Sequence, residues 1–474
     1  MNNSQIDTSF RTALARLARN NRIVAYEDTV DPHLELSALM KAMDGREAVF
    51  FPKVAGFDIP VLGNLLCCRE NYEAAFGTDI FSLRKLISRA FRGSLEPALV
   101  TQAPWQKNVV TENIDVGARL PALFHLPNDN GRYITAGIVI VRDPETGVYN
   151  ASYHRLRLVN ANTLAIKMDY GRHLRTAFEH AKQEGKPLPI AICLGTDLSL
   201  YLTAATMGSK MPLASDELAA AGSLKGSPLA VVKAMTQDLV VPVDTEIVLE
   251  GTISTTETTD EAPFGEFIGS YAPPAPAPTV HLTCLSHRDQ PIYHAINGFG
   301  RETIGLRKYV LETTLLEVLQ AAVPIVTDVD MSSGGLHRFH AVVQVKKAKS
   351  QDDGLQRNAI LAAFGALKDL DLVTVVDDDI DIRDPADVEY ALATRMNAAD
   401  DLIVVEGARS HEYIRVSNGG IRGKLGIDAT VPFATQATFR RAEFRDVQAL
   451  TSKFTASPES VAQALSQSCA VKLG

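Results

Sequence analysis

The chain has 474 residues, too many for one ordinary core, so two or three domains are expected. A formal net charge of −9 and the lack of any dense Lys/Arg cluster exclude a nucleic-acid or anionic-membrane binder. Met1 precedes Asn-Asn-Ser-Gln rather than a basic-then-apolar run, and the five cysteines fit neither a zinc motif nor a disulfide framework, so a reducing, cytoplasmic setting is expected.

Residues 7–20 show helical periodicity, with Phe10, Leu14, Leu17 and Ala18 on one face. Strand-like and helical pieces alternate from there, with an amphipathic helix over 81–92, so residues 1–105 read as an α/β domain. From 106 to 305 strands dominate. Ile134–Val141 and Tyr149–Val159 flank Asp-Pro-Glu-Thr-Gly and predict a hairpin. Further strands are expected at 245–255, 279–287 and 291–297, with helices near 172–184 and 215–222, which suits a barrel or sandwich with inserted helices. Residues 306–322 hold a linking helix. Strands at 324–330, 339–346 and 372–376 then alternate with helices at 354–367 and 385–395, a second α/β domain over 323–445. A tail over 446–474 carries one more helix, 458–468.

The stretch Glu261-Ala-Pro-Phe-Gly-Glu266 places two carboxylates at the ends of a turn. Two carboxylates facing one pocket from different surroundings have the separated pKa values that acid/base chemistry needs; the plainer alternative is a solvated turn. Arg155 and Arg157 alternate with His154, Leu156 and Leu158, so both arginines share one face of a strand, either lining a barrel or facing solvent. A lining arginine beside a glutamate would hold that carboxylate ionised. Asn150, His173 and Glu217 are oxygen and nitrogen donors suited to Mn²⁺ or Mg²⁺ rather than Zn²⁺, although sequence spacing does not group them. The acidic run Asp377-Asp378-Asp379-Ile380-Asp381 reads as a strand exit with Asp384 capping the next helix. No P-loop, Gly-x-Ser-x-Gly elbow, His-Glu-x-x-His or dinucleotide fingerprint occurs.

Read together, these segments resemble the UbiD family of prenylated-FMN-dependent decarboxylases. The carrying stretches are Asn150-Ala-Ser-Tyr-His-Arg155, Gly171-Arg-His173, Ser215-Asp-Glu217, Glu246-Ile-Val-Leu-Glu-Gly251, Glu261–Glu266, Val375–Asp381 and Ala393-Thr-Arg-Met396. The resemblance implies an α+β / α/β multidomain fold, with a central flavin-reductase-like split β-barrel flanked by α/β domains. It implies that Asn150, His173 and Glu217 hold Mn²⁺ (or Mg²⁺) at the cofactor phosphate, that K⁺ binds near Met211 and Pro212, and that Ser152, Arg155 and Arg172 touch the cofactor. The catalytic network would be Glu261, Arg155 and Glu266, with Glu266 as proton donor. Phe299, Arg301, Thr303 and His411 are expected on the substrate side, where Arg301 or Arg415 would suit a second carboxylate or an acidic heteroaromatic, the plainer reading being a solvent-facing arginine, and Lys368 is the nearest candidate for a phosphate-contacting lysine. The implied reaction is non-oxidative decarboxylation, reversible in principle, of an aromatic, heteroaromatic or α,β-unsaturated acid. A flavin prenyltransferase would supply the cofactor, and a homodimer or homohexamer is expected. A flavin-independent metal hydrolase or lyase, and a non-catalytic binding protein, are the competing readings.

Overall fold

The computed structural model describes residues 5–169, 172–206, 216–439, 441–442 and, near the C-terminus, 457, 459–461 and 463. Helix α1 (Phe10–Arg19) buries Phe10, Ala13 and Leu17; of the expected face, Phe10 and Leu17 are buried, Leu14 is half-buried and Ala18 is exposed, Ala13 taking its place inward. Helix α2 (Ile80–Arg92) starts at Asp79, whose carboxylate accepts from the Phe81 and Ser82 amides at 3.0 Å each. Beside them lies a four-stranded sheet of Ile23–Ala25, Ala48–Phe51, Val61–Gly63 and Tyr293–His294. The last strand corrects an expectation: of 291–297 only Tyr293 and His294 form a strand, and they pair in parallel with Val61 and Leu62 of this sheet, not with the barrel.

The central sheet has nine strands: β1 (Asn108–Val110), β2 (Tyr133–Ile134), β3 (Ile138–Arg142), β4 (Tyr149–Tyr153), β5 (Leu156–Asn160), β6 (Thr163–Ile166), β7 (Leu188–Thr196), β8 (Thr245–Asp260) and β9 (Pro276–His287). Their order is β2-β5-β6-β9-β8-β7-β3-β4, with β1 added on β9. The predicted hairpin is β3–β4, registered Val141 to Asn150 around the Asp143–Gly147 turn. Strand β4 ends the sheet on one side and β5 is next to last on the other. Only His154 and Arg155 join them. Two residues span at most about 7 Å, so the sheet must curl until its two sides meet. The continuous strand expected over 149–159 is therefore broken, and Arg155 sits at the barrel's seam.

Helices α3 (His173–Gln183) and α4 (Glu217–Lys225) follow β6 and β7 in the chain and carry His173 and Glu217 at their first positions. Helix α5 (Lys308–Ala322) then leads to β10 (Val326–Met331), β11 (His340–Val345), α6 (Leu355–Ala366), β12 (Leu372–Asp377), α7 (Pro385–Arg395), β13 (Leu402–Arg409) and β14 (Ile421–Ala429). The sheet order is β10-β11-β12-β14-β13, with β11, β12 and β14 parallel. Parallel strands buried on both faces account for the apolar runs 341–345 and 372–376. The acidic run after β12 is structural: Arg395 bonds Asp377 and Asp379.

Residues 347–353 and those from 431 onward form a separate small unit. Within it the Lys347 ammonium reaches the Val431 carbonyl at 2.9 Å and Asp353 at 3.1 Å. Most of the predicted 458–468 helix lies outside the described residues. Among the described residues no helix is long and apolar enough to cross a membrane.

Candidate active site

The segment from Glu261 to Glu266 corrects the expectation of a turn: Phe264 and Gly265 form a short strand paired antiparallel with Ala272 and Tyr271, and the segment is held from behind. The Asn130 amide donates to the Pro263 carbonyl at 2.7 Å, and its side chain donates to the Ala262 carbonyl at 3.1 Å. Asp129 accepts from the Gly265 and Leu126 amides at 2.9 Å each, and the Tyr133 hydroxyl donates to the Glu261 carbonyl. The Ala262–Pro263 bond is cis. Both carboxylates then meet Arg155 at the seam. Its Nε and Nη2 donate to Glu261 Oε1 and Oε2 at 2.6 and 2.8 Å, and its Nη1 donates to Glu266 Oε1. The guanidinium also stacks 4.6 Å from the Phe264 ring centre, on the segment between the two acids. Burial pushes the Glu266 carboxyl above its ordinary value, and Arg155 only partly opposes this. Arg157 shares the face of Arg155 but bonds the Asp260 carbonyl at 2.8 Å, so it braces backbone instead.

A second group gathers where β4 meets α4. Glu217, only 4% exposed, accepts from the Asn150 amide at 3.1 Å and from the Ala151 backbone N–H at 3.0 Å. His173 Nδ1 lies 3.9 Å from the same carboxylate. Burial pushes Glu217 up to about 8 and His173 down, the signature of a carboxylate short of positive charge beside a neutral imidazole. Ser152 Oγ donates to Asn150 Oδ1 at 3.1 Å. Among the described residues no group of three His, Cys, Asp or Glu is arranged to hold a metal ion; the mixed set of carboxylate, amide and imidazole is what the structure brings together here.

Both groups line one cavity of about 250 Å³. Of the expected residues, Asn150, Ser152, Arg155, Arg172, His173, Glu217, Glu266, Thr303 and His411 are in its wall. Glu261 stands behind Arg155. Met211 and Pro212 lie outside the described residues. Phe299 and Lys368 are not in the wall, and Arg301 and Arg415 are exposed, the plainer of the two readings given for them. Phe299 is 42% exposed under the Lys41 ammonium, and the exposed Arg301 takes a bond from its backbone N–H to Asp44 at 2.7 Å. Thr303 and Ile304 lie in the short helix Arg301–Gly305, and Arg307 caps the start of α5. Arg415 reaches outward to the Tyr271 carbonyl, and Lys368 is exposed.

Sequence reasoning missed Lys167, Asp169, Phe267, Arg307, Arg338 and Tyr413, all in the wall. Arg338 pairs with Asp369 at 2.7 Å and lies 5.2 Å from the Phe267 ring. Phe267 packs on His411 and Tyr413, with ring centres 5.7 and 6.3 Å apart. Burial, with Arg338 and Arg172 alongside, pushes Arg307 down to about 9. The only local signal for Arg307 was its place one residue before α5.

Residues 14–91, 98–300 and 306–429 match the N-terminal, Rift-related and C-terminal domains of 3-octaprenyl-4-hydroxybenzoate carboxy-lyase. The anhydromevalonate phosphate decarboxylase of Methanosarcina mazei is 35% identical, over 92% of this chain and 99% of its own. The gallate decarboxylase of Lactiplantibacillus plantarum is 29% identical, over 88% and 93%. The structure of the UbiD-class enzyme HmfF from Pelotomaculum thermopropionicum in complex with FMN superposes with a TM-score of 0.90 at 36% identity, covering 94% of this chain and all of that one. An evolved dimeric form of HmfF in complex with prenylated FMN gives 0.86 at 34%, covering 95% and 100%.

Proposed function

Because the chain belongs to the UbiD family of carboxy-lyases and is a decarboxylase, we propose that it removes CO₂ without oxidation from an aromatic, heteroaromatic or α,β-unsaturated acid, using prenylated FMN, with Glu266 delivering the proton. The observation that carries this reading is Arg155 at the barrel seam, bridging Glu261 and Glu266 beside the cavity. Breaking the carbon–carboxyl bond leaves an electron pair on an sp² carbon, where it has no local stabilisation. Prenylated FMN, when bound, supplies an electrophilic centre that takes up that charge.

The chain's own residues do the rest. Arg155 is bidentate to Glu261, which fixes the plane of its guanidinium. Its remaining arm positions Glu266. The raised pKa of Glu266 keeps a proton available on that carboxyl. After CO₂ departs, the proton moves from Glu266 to the carbon that bore it, and the carboxylate regains a proton from solvent. In the carboxylating direction the same carboxylate is the base. Phe264 and Phe267 line the same cavity beside Glu266.

Asn150, His173 and Glu217 would hold a hard divalent cation, Mn²⁺ or Mg²⁺, against the cofactor phosphate: the donor set is of the right chemistry, and a buried carboxylate held up at about 8 is one that a cation would satisfy. Ser152 and Arg172 would face the cofactor, and K⁺ near Met211 and Pro212 completes the reading. A homodimer or homohexamer is part of it, as is supply by a flavin prenyltransferase. The test is expression with and without such a prenyltransferase. Flavin-like absorbance and CO₂ release from a panel of unsaturated acids are expected only with it. Equal CO₂ release by flavin-free protein in divalent metal would overturn the proposal.

A further inference from the structure

We propose that Cys67 and Cys68 form an oxidation site for peroxides, in which Cys68 is the attacking thiol and Cys67 closes a reversible disulfide with it. Neither cysteine is in the cavity wall, so nothing in the site rests on the decarboxylase reading.

The two adjacent cysteines precede the helix Arg69–Phe76, with Cys68 at its N-cap. Both thiols donate to one acceptor, the Arg46 carbonyl, at 3.2 Å each, and they bond each other. Their surroundings differ. Cys67 is buried, and the Asn71 side-chain amide donates to its sulfur at 3.6 Å. Cys68 is half-buried, and Arg22 Nη2 donates to its sulfur at 3.2 Å. That guanidinium is fixed by three further bonds, to Asn71 Oδ1 at 3.0 Å, to Glu47 at 3.1 Å and to the Arg46 carbonyl at 3.0 Å.

The bond between the two thiols pushes Cys67 up and Cys68 down. Burial and the nearby Glu302 carboxylate add to the rise of Cys67. The Asn71 backbone N–H adds to the fall of Cys68, which burial and Glu70 oppose without prevailing. The thiolate is the nucleophile in thiol chemistry. A reachable sulfur held by a guanidinium beside a resolving thiol is the arrangement that peroxide oxidises. Cys193 and Cys284 lack it: both are buried, and burial pushes both thiols up.

The chemistry closes without another reactant than hydrogen peroxide. The Cys68 thiolate attacks one peroxide oxygen and the O–O bond breaks. The other oxygen leaves as hydroxide, which takes up the proton Cys68 had lost. Cys68 is then a sulfenic acid. The Cys67 sulfur attacks it, the S–O bond breaks, and the hydroxyl departs as water with the Cys67 proton. One peroxide becomes two waters while two thiols become one disulfide. Neighbouring Cα atoms lie about 3.8 Å apart across a trans peptide, against about 4.4–6.8 Å in ordinary disulfides. The closed ring is therefore strained, and a dithiol reductant reopens it.

The experiment treats the reduced full chain with hydrogen peroxide, alkylates the remaining thiols and measures the mass of the tryptic fragment 54–69. That fragment holds Cys67 and Cys68 and no other cysteine. The wild-type fragment is expected to be two hydrogens lighter and unalkylated, and dithiothreitol should restore both thiols. Cys67→Ser should stop at a Cys68 sulfenic acid that a 1,3-dione traps, and Cys68→Ser should leave Cys67 reduced at the same dose. Arg22→Gln should slow disulfide formation by about threefold: losing a charge-assisted bond removes about tenfold of the thiolate, and the more basic sulfur regains half of that in log rate. Arg22→Lys should restore part of the rate. Each variant is first checked for a wild-type thermal transition. A wild-type fragment alkylated at both sulfurs overturns the proposal, as does a Cys68 sulfinic acid beside a free Cys67, or a disulfide joining two chains. Should Arg22→Gln not fold, the wild-type fragment and the two serine variants still decide between these outcomes.

Discussion

Arg155 divides its donors unequally: two go to Glu261 and one to Glu266. That asymmetry separates a fixed carboxylate from one able to exchange its proton. Because burial raises Glu266, the proton-carrying form is present at low pH and is lost as pH rises through the raised pKa. The account therefore predicts a kcat profile that falls on the alkaline side with a one-proton slope, beyond the ordinary carboxylate range. A rate that instead climbs with pH would assign Glu266 as the base in the measured direction. Replacing Arg155 with Gln leaves two buried carboxylates without their cation, at a cost of about 3–5 kcal/mol; urea denaturation checks this, and an unchanged midpoint would mean that the pair is solvated. At this scale the sequence was partly legible. The two glutamates were legible as a pair, but Pro263 and Gly265 read as a turn where Phe264 and Gly265 form a short strand. The choice of Arg155 over Arg157 was not legible, since alternation puts both on one face and only the seam distinguishes them. Arg301 was singled out from a loop reading of 297–304, and Arg307, at the cap of α5, lay beyond that loop.

At the scale of elements, the two-residue link between β4 and β5 is the decisive feature. Its meaning is topological: strands adjacent in sequence lie on opposite sides of the sheet, and no local pattern encodes that. The β3–β4 hairpin was readable from alternation and turn chemistry, whereas strand lengths were not: the runs expected over 134–141 and 149–159 are each broken in two, and β8 continues from 255 to Asp260. The pairing of Tyr293–His294 with the N-terminal sheet was not, because its partner is more than two hundred residues away. The same contact brings Gly298 against the catalytic segment. A Cβ there would meet the Gly265 carbonyl oxygen at 2.3 Å and the Phe264 ring at 2.5 Å. Backbone oxygen cannot rotate aside as a flexible side chain does, so Gly298→Ala must displace the segment that carries Glu266. A shift of about 1 Å costs on the order of 100-fold in rate. Steady-state kinetics should show that loss in kcat, with flavin retained; near-normal turnover would mean that the segment tolerates displacement.

For the whole molecule, a formal charge of −9 surrounds a cavity whose wall is locally positive. The overall charge was legible from composition. It says nothing about the cavity, whose arginines come from the barrel seam, α3's start, α5's start and the turn before β11. Stability should respond to the proposed metal. Mn²⁺ added to cofactor-free protein is expected to raise the thermal transition, by up to about 2.7 kcal/mol at a hundredfold excess over Kd, and Glu217→Gln should abolish the rise. An equal rise in that variant would place the ion elsewhere. The most direct test of the central claim is single-turnover CO₂ release by cofactor-loaded wild type and Glu266→Gln, with flavin absorbance matched between them. The account predicts a drop of about 10²–10⁴ in the variant with the cofactor still bound; an undiminished rate would remove Glu266 from the mechanism.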